Sequence, residues 1–430
     1  LRTTILHHPE NTEHFKEQLL QWSQQFEDVV WLDSNHHKER YSGYDAVLAV
    51  EALTVLKTDY FDAFERLKEY QTITKDWIFG YLTYDLKNTT EHLKSENFDG
   101  LEFPDLYFFQ PKKLFFIKDN QVEIQYLKMV DDELEADLID IQQFKNSITQ
   151  ESSNPIKIKL RIHKDAYFEK VTNMLAHIHR GDIYEANFCQ EFYAEDSVIN
   201  PLETFKKLNA ISKPPFATFL KTGNQYLLSA SPERYIKKEG LKVISQPIKG
   251  TAKRSTDPIE DLKLKTDLAK DEKERSENIM IVDLVRNDLS HTATKGSVKV
   301  EELCKVYSFL QVHQMISTIS SEVDKTTNPV DIIKTTFPMG SMTGAPKISA
   351  MQIIEELEET KRGLYSGSVG YFSPNGDFDF NVIIRSILYN ASKHYISYSV
   401  GSAITSKSDP HKEYEECLVK AKAMRDVLEN

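Results

Sequence analysis

Residues 367–404 read GSVGYFSPNGDFDFNVIIRSILYNASKHYISYSVGSAI. β-Branched and aromatic residues alternate here with small and polar ones, and the run breaks at Pro374-Asn-Gly-Asp377 and again at Asn390-Ala-Ser392. Period-two alternation marks strands, and Asn-Gly is a strong hairpin signal, so antiparallel hairpins are expected. Just downstream, Tyr414, Cys417, Leu418, Ala421, Met424 and Leu428 form one stripe over Lys412 to Leu428, an amphipathic helix. Upstream, Tyr167, Phe168, Val171, Met174, Leu175 and Ile178 recur at helical spacing, with Gly181 placed to cap the helix and a strand expected through Tyr193.

Further towards the amino terminus, short apolar-aromatic runs such as Leu106 to Phe109 and Leu114 to Ile117 alternate with helical patterns such as Ala63 to Tyr70. This half reads as mixed α/β. From Asp131 to Asn154 the chain turns acidic and polar, which predicts a helix and then a solvated linker ending in Gln150-Glu-Ser-Ser-Asn154. A boundary near residue 155 would separate an amino-terminal portion, 1–155, from a carboxy-terminal portion, 156–430.

The whole chain has 430 residues, 40% of them hydrophobic, which is enough for a large core and excludes a disordered polymer. Its net charge of −13 argues against nucleic acid or an anionic membrane as partner, and at first sight against an anionic small substrate. No apolar run is long enough to span a bilayer, and the start, Leu1-Arg-Thr-Thr-Ile-Leu, lacks a signal peptide's apolar core, so a cytoplasmic protein is expected. Cys189, Cys304 and Cys417 are too scattered for a disulfide framework or zinc cluster and read as packing residues.

Three constellations could carry chemistry. Glu274 with Glu277, and Glu413 with Glu416, each share a helical face; two such faces opposed would make an oxygen cage suited to Mg²⁺. Taken singly, such pairs are common on solvated helices. Pro338-Met-Gly-Ser-Met-Thr-Gly-Ala-Pro-Lys347 precedes a helical pattern, with Pro346 suited to its first position and bare amides able to hold an anion; it lacks the order of a nucleotide P-loop. Lys249, in Gln246-Pro-Ile-Lys-Gly-Thr251, is either a solvated loop tip or, if desolvated, a nucleophile. The histidine pairs His7-His8, His36-His37 and His177/His179 read as surface or packing residues.

Taken in order, these blocks resemble the chorismate-utilising enzymes, the family of anthranilate synthase component I, aminodeoxychorismate synthase component I, isochorismate synthase and salicylate synthase. The resemblance runs through GDIYEANFCQEF from Gly181, SASPERY from Ser229, QPIKGT from Gln246 and ERSENIMIVDLVRNDLS from Glu274. It continues through PMGSMTGAPKISAMQIIEELE from Pro338, RGLYSGSVGYF from Arg362, NVIIRS from Asn381 and EYEECLVKAKAM from Glu413. Trp31-Leu-Asp-Ser34 is similar to a short element of these synthases. The resemblance implies an α/β (α+β) body, anthranilate synthase component I-like, with antiparallel β-sheets packed face to face and helices outside.

It also implies a site. Glu277 and Glu416, supported by Glu274 and Glu413, would gather Mg²⁺ for the ring carboxylate of chorismate. Arg385 and Tyr365 would receive the enolpyruvyl carboxylate, and Ser341, Gly344, Gly401 and Lys420 would line the pocket. Lysine at position 249 matches aminodeoxychorismate synthases, where anthranilate synthases typically carry alanine; its amine would attack ring C2 before ammonia adds at C4. Three positions depart from the family. Glu185 replaces a glutamine usual in ammonia-using members and a lysine base of the water-using ones. Gln314 replaces a histidine, with His313 one residue off register, and Ala403 replaces a glycine.

The expectation is therefore a Mg²⁺-dependent aminodeoxychorismate synthase component I of the p-aminobenzoate and folate route. Without a G-x-C-x-G glutaminase elbow, it would take ammonia from a glutamine amidotransferase subunit and leave pyruvate release to a separate aminodeoxychorismate lyase. The alternatives are anthranilate synthase component I and a non-catalytic chorismate-binding homologue.

Overall fold

The computed structural model describes residues 1–37, 41, 43–91, 93–143, 156–310 and 312–429. The linker at 150–154 and the boundary at residue 155 lie outside the described residues.

The expected hairpins form. Ser368–Phe372 pairs antiparallel with Phe378–Asn381 across the Pro374-Asn-Gly-Asp turn, and Ser386–Asn390 pairs with Tyr395–Thr405 across Asn390-Ala-Ser. All strand pairs among the described residues are antiparallel. One sheet half runs from Glu185–Ala194 through Tyr395–Thr405, Ser386–Asn390, Gln225–Ser231, Phe216–Thr222 and Asp28–Asp33 to Ala46–Thr58. The other runs from Leu106–Lys118 through Ile78–Leu82, Ser368–Phe372, Phe378–Asn381, Arg234–Glu239 and Lys242–Gln246 to Val312–Glu322, which also pairs with Ile248–Lys253 and Lys299–Ser308. The long strands Ala46–Thr58 and Leu106–Lys118 pair with each other and join the halves.

The apolar runs Leu106 to Phe109 and Leu114 to Ile117 are thus one strand rather than two. Pro111, which has no N–H to give a ladder, sits opposite Ala52, where the partner strand slips register before Thr54.

Strand alternation builds two cores at once. Val29 and Trp31 enter one, and Val30 between them enters the other. The first core is roofed by the helices Thr12–Trp22, Lys164–Arg180, Pro201–Ser212, Lys347–Leu357 and Pro410–Glu429. The second fills the space between the sheet halves and takes in Ala63–Thr74, Glu272–Ser290 and Pro329–Thr336. Gly181 ends the Lys164–Arg180 helix at φ 86°, as its position suggested. Pro346 stands one place earlier than expected: its ψ of 142° keeps it extended, so the helix begins at Lys347 with Pro346 as cap residue. All three cysteines are buried and free.

Candidate active site

Lys249 stands where two strands and a helix come together. Its strand, Ile248–Lys253, lies beside the helix Glu272–Ser290, and its amine donates to Glu185 Oε1 at 3.1 Å. Glu185 opens the strand Glu185–Ala194 and is 1% exposed; its other oxygen, Oε2, has no hydrogen-bond partner. The Lys249 side chain is 11% exposed, so the loop-tip alternative falls away. Burial works to lower this amine, but Glu185, Glu277 and Glu233 together outweigh it and hold the ammonium above its ordinary range.

Glu233, from SASPERY, was not singled out in the sequence. It is 4% exposed, and burial pushes its carboxyl up to about 7 against the opposing pull of the Ser341 hydroxyl, Lys249, the Ile248 N–H and Arg385. A carboxyl that is half protonated near neutrality is a competent acid. Arg385 adopts a left-handed φ of 52° and makes no ion pair among the described residues; burial lowers it, countered by the charge of Glu233. A desolvated guanidinium free of ion pairs can take a carboxylate in bidentate fashion.

The Ser341 turn is held from beneath. Arg362, buried, donates to Met342 O and Asn187 O, each at 2.6 Å, and is clasped by Glu358 at 2.6 and 2.9 Å. Asn187 Nδ2 donates to Ser341 O at 3.1 Å. Gly344 pairs with Ala186, so close that a Cβ there would stand 2.2 Å from Glu185 O. Tyr365 is buried with its hydroxyl 3.7 Å from Cys189 Sγ. Gly401 lies across from Cys189, and its carbonyl accepts from Lys420, which also pairs with Glu416 at 2.7 Å.

The four glutamates come from two helices, Glu272–Ser290 and Pro410–Glu429. Burial raises Glu274, and raises Glu277 to about 7 with help from Glu185 and Glu274. Burial would also raise Glu416, but Lys420, Lys273 and Lys249 outweigh it and hold it low. Among the described residues no group of three or more such side chains stands close enough to enclose an ion. The donors nonetheless fit a hard cation: Glu277 Oε1 and Glu413 Oε2 are buried without hydrogen-bond partners, and the set is all carboxylate oxygen.

His313 and Gln314 face opposite sides of the strand Val312–Glu322. The imidazole is taken up by Ser308 Oγ at 2.9 Å and Asp261 Oδ1 at 3.1 Å, so nothing here brings it to Lys249. Gln314 pairs in register with Thr251, two residues beyond Lys249, and its buried amide is unpartnered. One cleft borders Glu233, Gly340 and Ser341; a second borders Ser34 and shares only Arg234 with it.

The profile of chorismate binding enzymes matches residues 27–426. An anthranilate synthase component I-like protein of Synechocystis is 34% identical over 367 residues, covering 85% of this chain and 75% of the relative. An aminodeoxychorismate synthase of Streptomyces griseus is 40% identical over 275 residues, 63% of this chain, which spans 37% of that relative's length. The crystal structure of anthranilate synthase component I from Streptococcus pneumoniae TIGR4 superposes with a TM-score of 0.79 at 25% identity, covering 91% of this chain and 94% of that one.

Proposed function

The chain belongs to the chorismate-binding enzyme family, and on that premise we propose that it aminates chorismate to 4-amino-4-deoxychorismate, the reaction of aminodeoxychorismate synthase component I. The observation that carries this reading is the burial of Lys249 against Glu185, a carboxylate placed to take its proton, with Glu233 nearby.

In this reading Lys249 first passes its proton to Glu185. The freed Nζ forms a bond to ring C2, and the C4 hydroxyl leaves as water with the proton of Glu233. Ammonia then bonds to C4 as the C2–Nζ bond breaks. The returning amine recovers its proton from Glu185, and the new ammonium gives one to Glu233, restoring both groups. Arg385 and Tyr365 would orient the enolpyruvyl carboxylate, with Ser341, Gly344, Gly401 and Lys420 lining the pocket. Gln314 and His313 are proposed as polar support on their strand, Gln314 as hydrogen-bond donor rather than acid, since an amide cannot yield a proton. Glu274, Glu277, Glu413 and Glu416 would hold Mg²⁺, which when bound supplies positive charge for the ring carboxylate.

The nitrogen is proposed to come from a glutamine amidotransferase partner, and pyruvate release to fall to a separate lyase. The folate route and a cytoplasmic setting belong to the same proposal. Intact-mass measurement with chorismate and Mg²⁺, but no ammonium, should show the protein plus chorismate less one water, mapped to Lys249. Fluorescent anthranilate accumulating once ammonium is added would sink the reading in favour of anthranilate synthase. Chorismate binding with no adduct and no turnover would favour a non-catalytic homologue.

A further inference from the structure

Lys273 lies in the first turn of the helix Glu272–Ser290, beside Glu274 in sequence. Its ammonium stands 3.7 Å from Glu277 Oε1 and 3.6 Å from Glu413 Oε1, bridging the two helices. The charges of Glu274 and Glu416 act on it as well, so carboxylates of two helices share one side-chain cation, Glu277 and Glu413 at ion-pair distance. At these distances it forms ion pairs without direct hydrogen bonds, and Glu277 Oε1 and Glu413 Oε2 remain without hydrogen-bond partners.

We propose that Lys273 is the internal counter-ion of this cluster and competes with a divalent cation for the same carboxylate oxygens, swinging aside when the cation binds. The inference rests on the reading of these glutamates as a Mg²⁺ site. The competition is electrostatic. Carboxylates gathered in a cleft repel one another, and without a positive charge between them the two helix ends would be driven apart. An ammonium at ion-pair distance relieves this with one charge; a divalent cation brings two at direct contact, so the lysine is the weaker holder. Both cannot occupy the space between Glu277 and Glu413. The lysine has somewhere to go, because its side chain is 42% exposed and its flexible four-carbon stem can carry the head into water. Lys273 therefore keeps the two helices' carboxylates facing each other and sets how tightly the cation is held.

The test is calorimetric titration of the full chain with MgCl₂, with melting curves in chelator and in Mg²⁺. Lys273→Met should bind Mg²⁺ about five- to tenfold more tightly than wild type, the scale of losing two partly exposed ion pairs that compete with it. It should also melt at lower temperature in chelator and gain more on adding Mg²⁺. Lys273→Arg should follow wild type, and Lys273→Gln serves if the methionine variant does not fold. Equal or weaker Mg²⁺ binding in the neutral variants overturns the inference and leaves the Mg²⁺ reading standing. Glu277→Gln separates the two: wild-type Mg²⁺ affinity in that variant overturns the Mg²⁺ reading, and the inference with it.

Discussion

At the residue scale the proposed chemistry turns on Glu233. Its burial costs the charged form more than Lys249 and Arg385 return, so its carboxyl sits at about 7. In the proposed reaction Glu233 acts only while protonated, so turnover limited by loss of the C4 hydroxyl should be full below about 7. It then falls towards tenfold per unit above that value. Glu233→Gln should lower kcat by about 10²- to 10⁴-fold and abolish the alkaline fall, read from kcat against pH. An unchanged profile in the variant would assign that limb to another group. Lys249 was visible in the sequence as a lysine between proline and glycine, but whether it was a loop tip or a desolvated amine depended on Glu185, 64 positions away, closing on it.

At the scale of elements, the turn carrying Ser341 is positioned by contacts the linear motif does not contain. Arg362 reaches Met342 O and Asn187 O, which ties the turn to the strand bearing Glu185. Gly344 lies so near that strand that any side chain must displace backbone: Cβ would meet Glu185 O at 2.2 Å and Ala186 Cα at 2.9 Å. Gly344→Ala should cost about 1–3 kcal/mol by urea denaturation. Because the displaced strand begins at Glu185, kcat/KM should drop by more than that stability loss explains; wild-type kcat/KM in the folded variant would refute the coupling. Helix and hairpin positions in this region were legible, since periodicity and turn residues are local properties. The continuity of Leu106–Lys118 was not, because a proline inside a strand is tolerated only where the partner slips register.

Across the whole molecule, the amino-terminal strands are not a separate layer. Asp28–Asp33 pairs with Phe216–Thr222, and Ile78–Leu82 with Ser368–Phe372. A fragment of residues 156–430 would leave both partners with bare edges, so it should bind a hydrophobic dye and melt without a cooperative transition. A cooperative melt like that of the full chain would show that the carboxy-terminal portion folds alone. The net charge of −13 proved uninformative about the pocket: Glu277 and Glu413 pair with Lys273, while Arg385 feels the charge of Glu233 but forms no ion pair among the described residues. By itself the sequence determined the antiparallel hairpins, the amphipathic helices and the ordered blocks that carry the family, because each follows from spacing along the chain. Only the tertiary structure decided that Lys249 is clasped by Glu185, that Glu233 is buried with its carboxyl raised and that Lys273 joins two helices. Burial and charge are set by neighbours that arrive from distant parts of the chain.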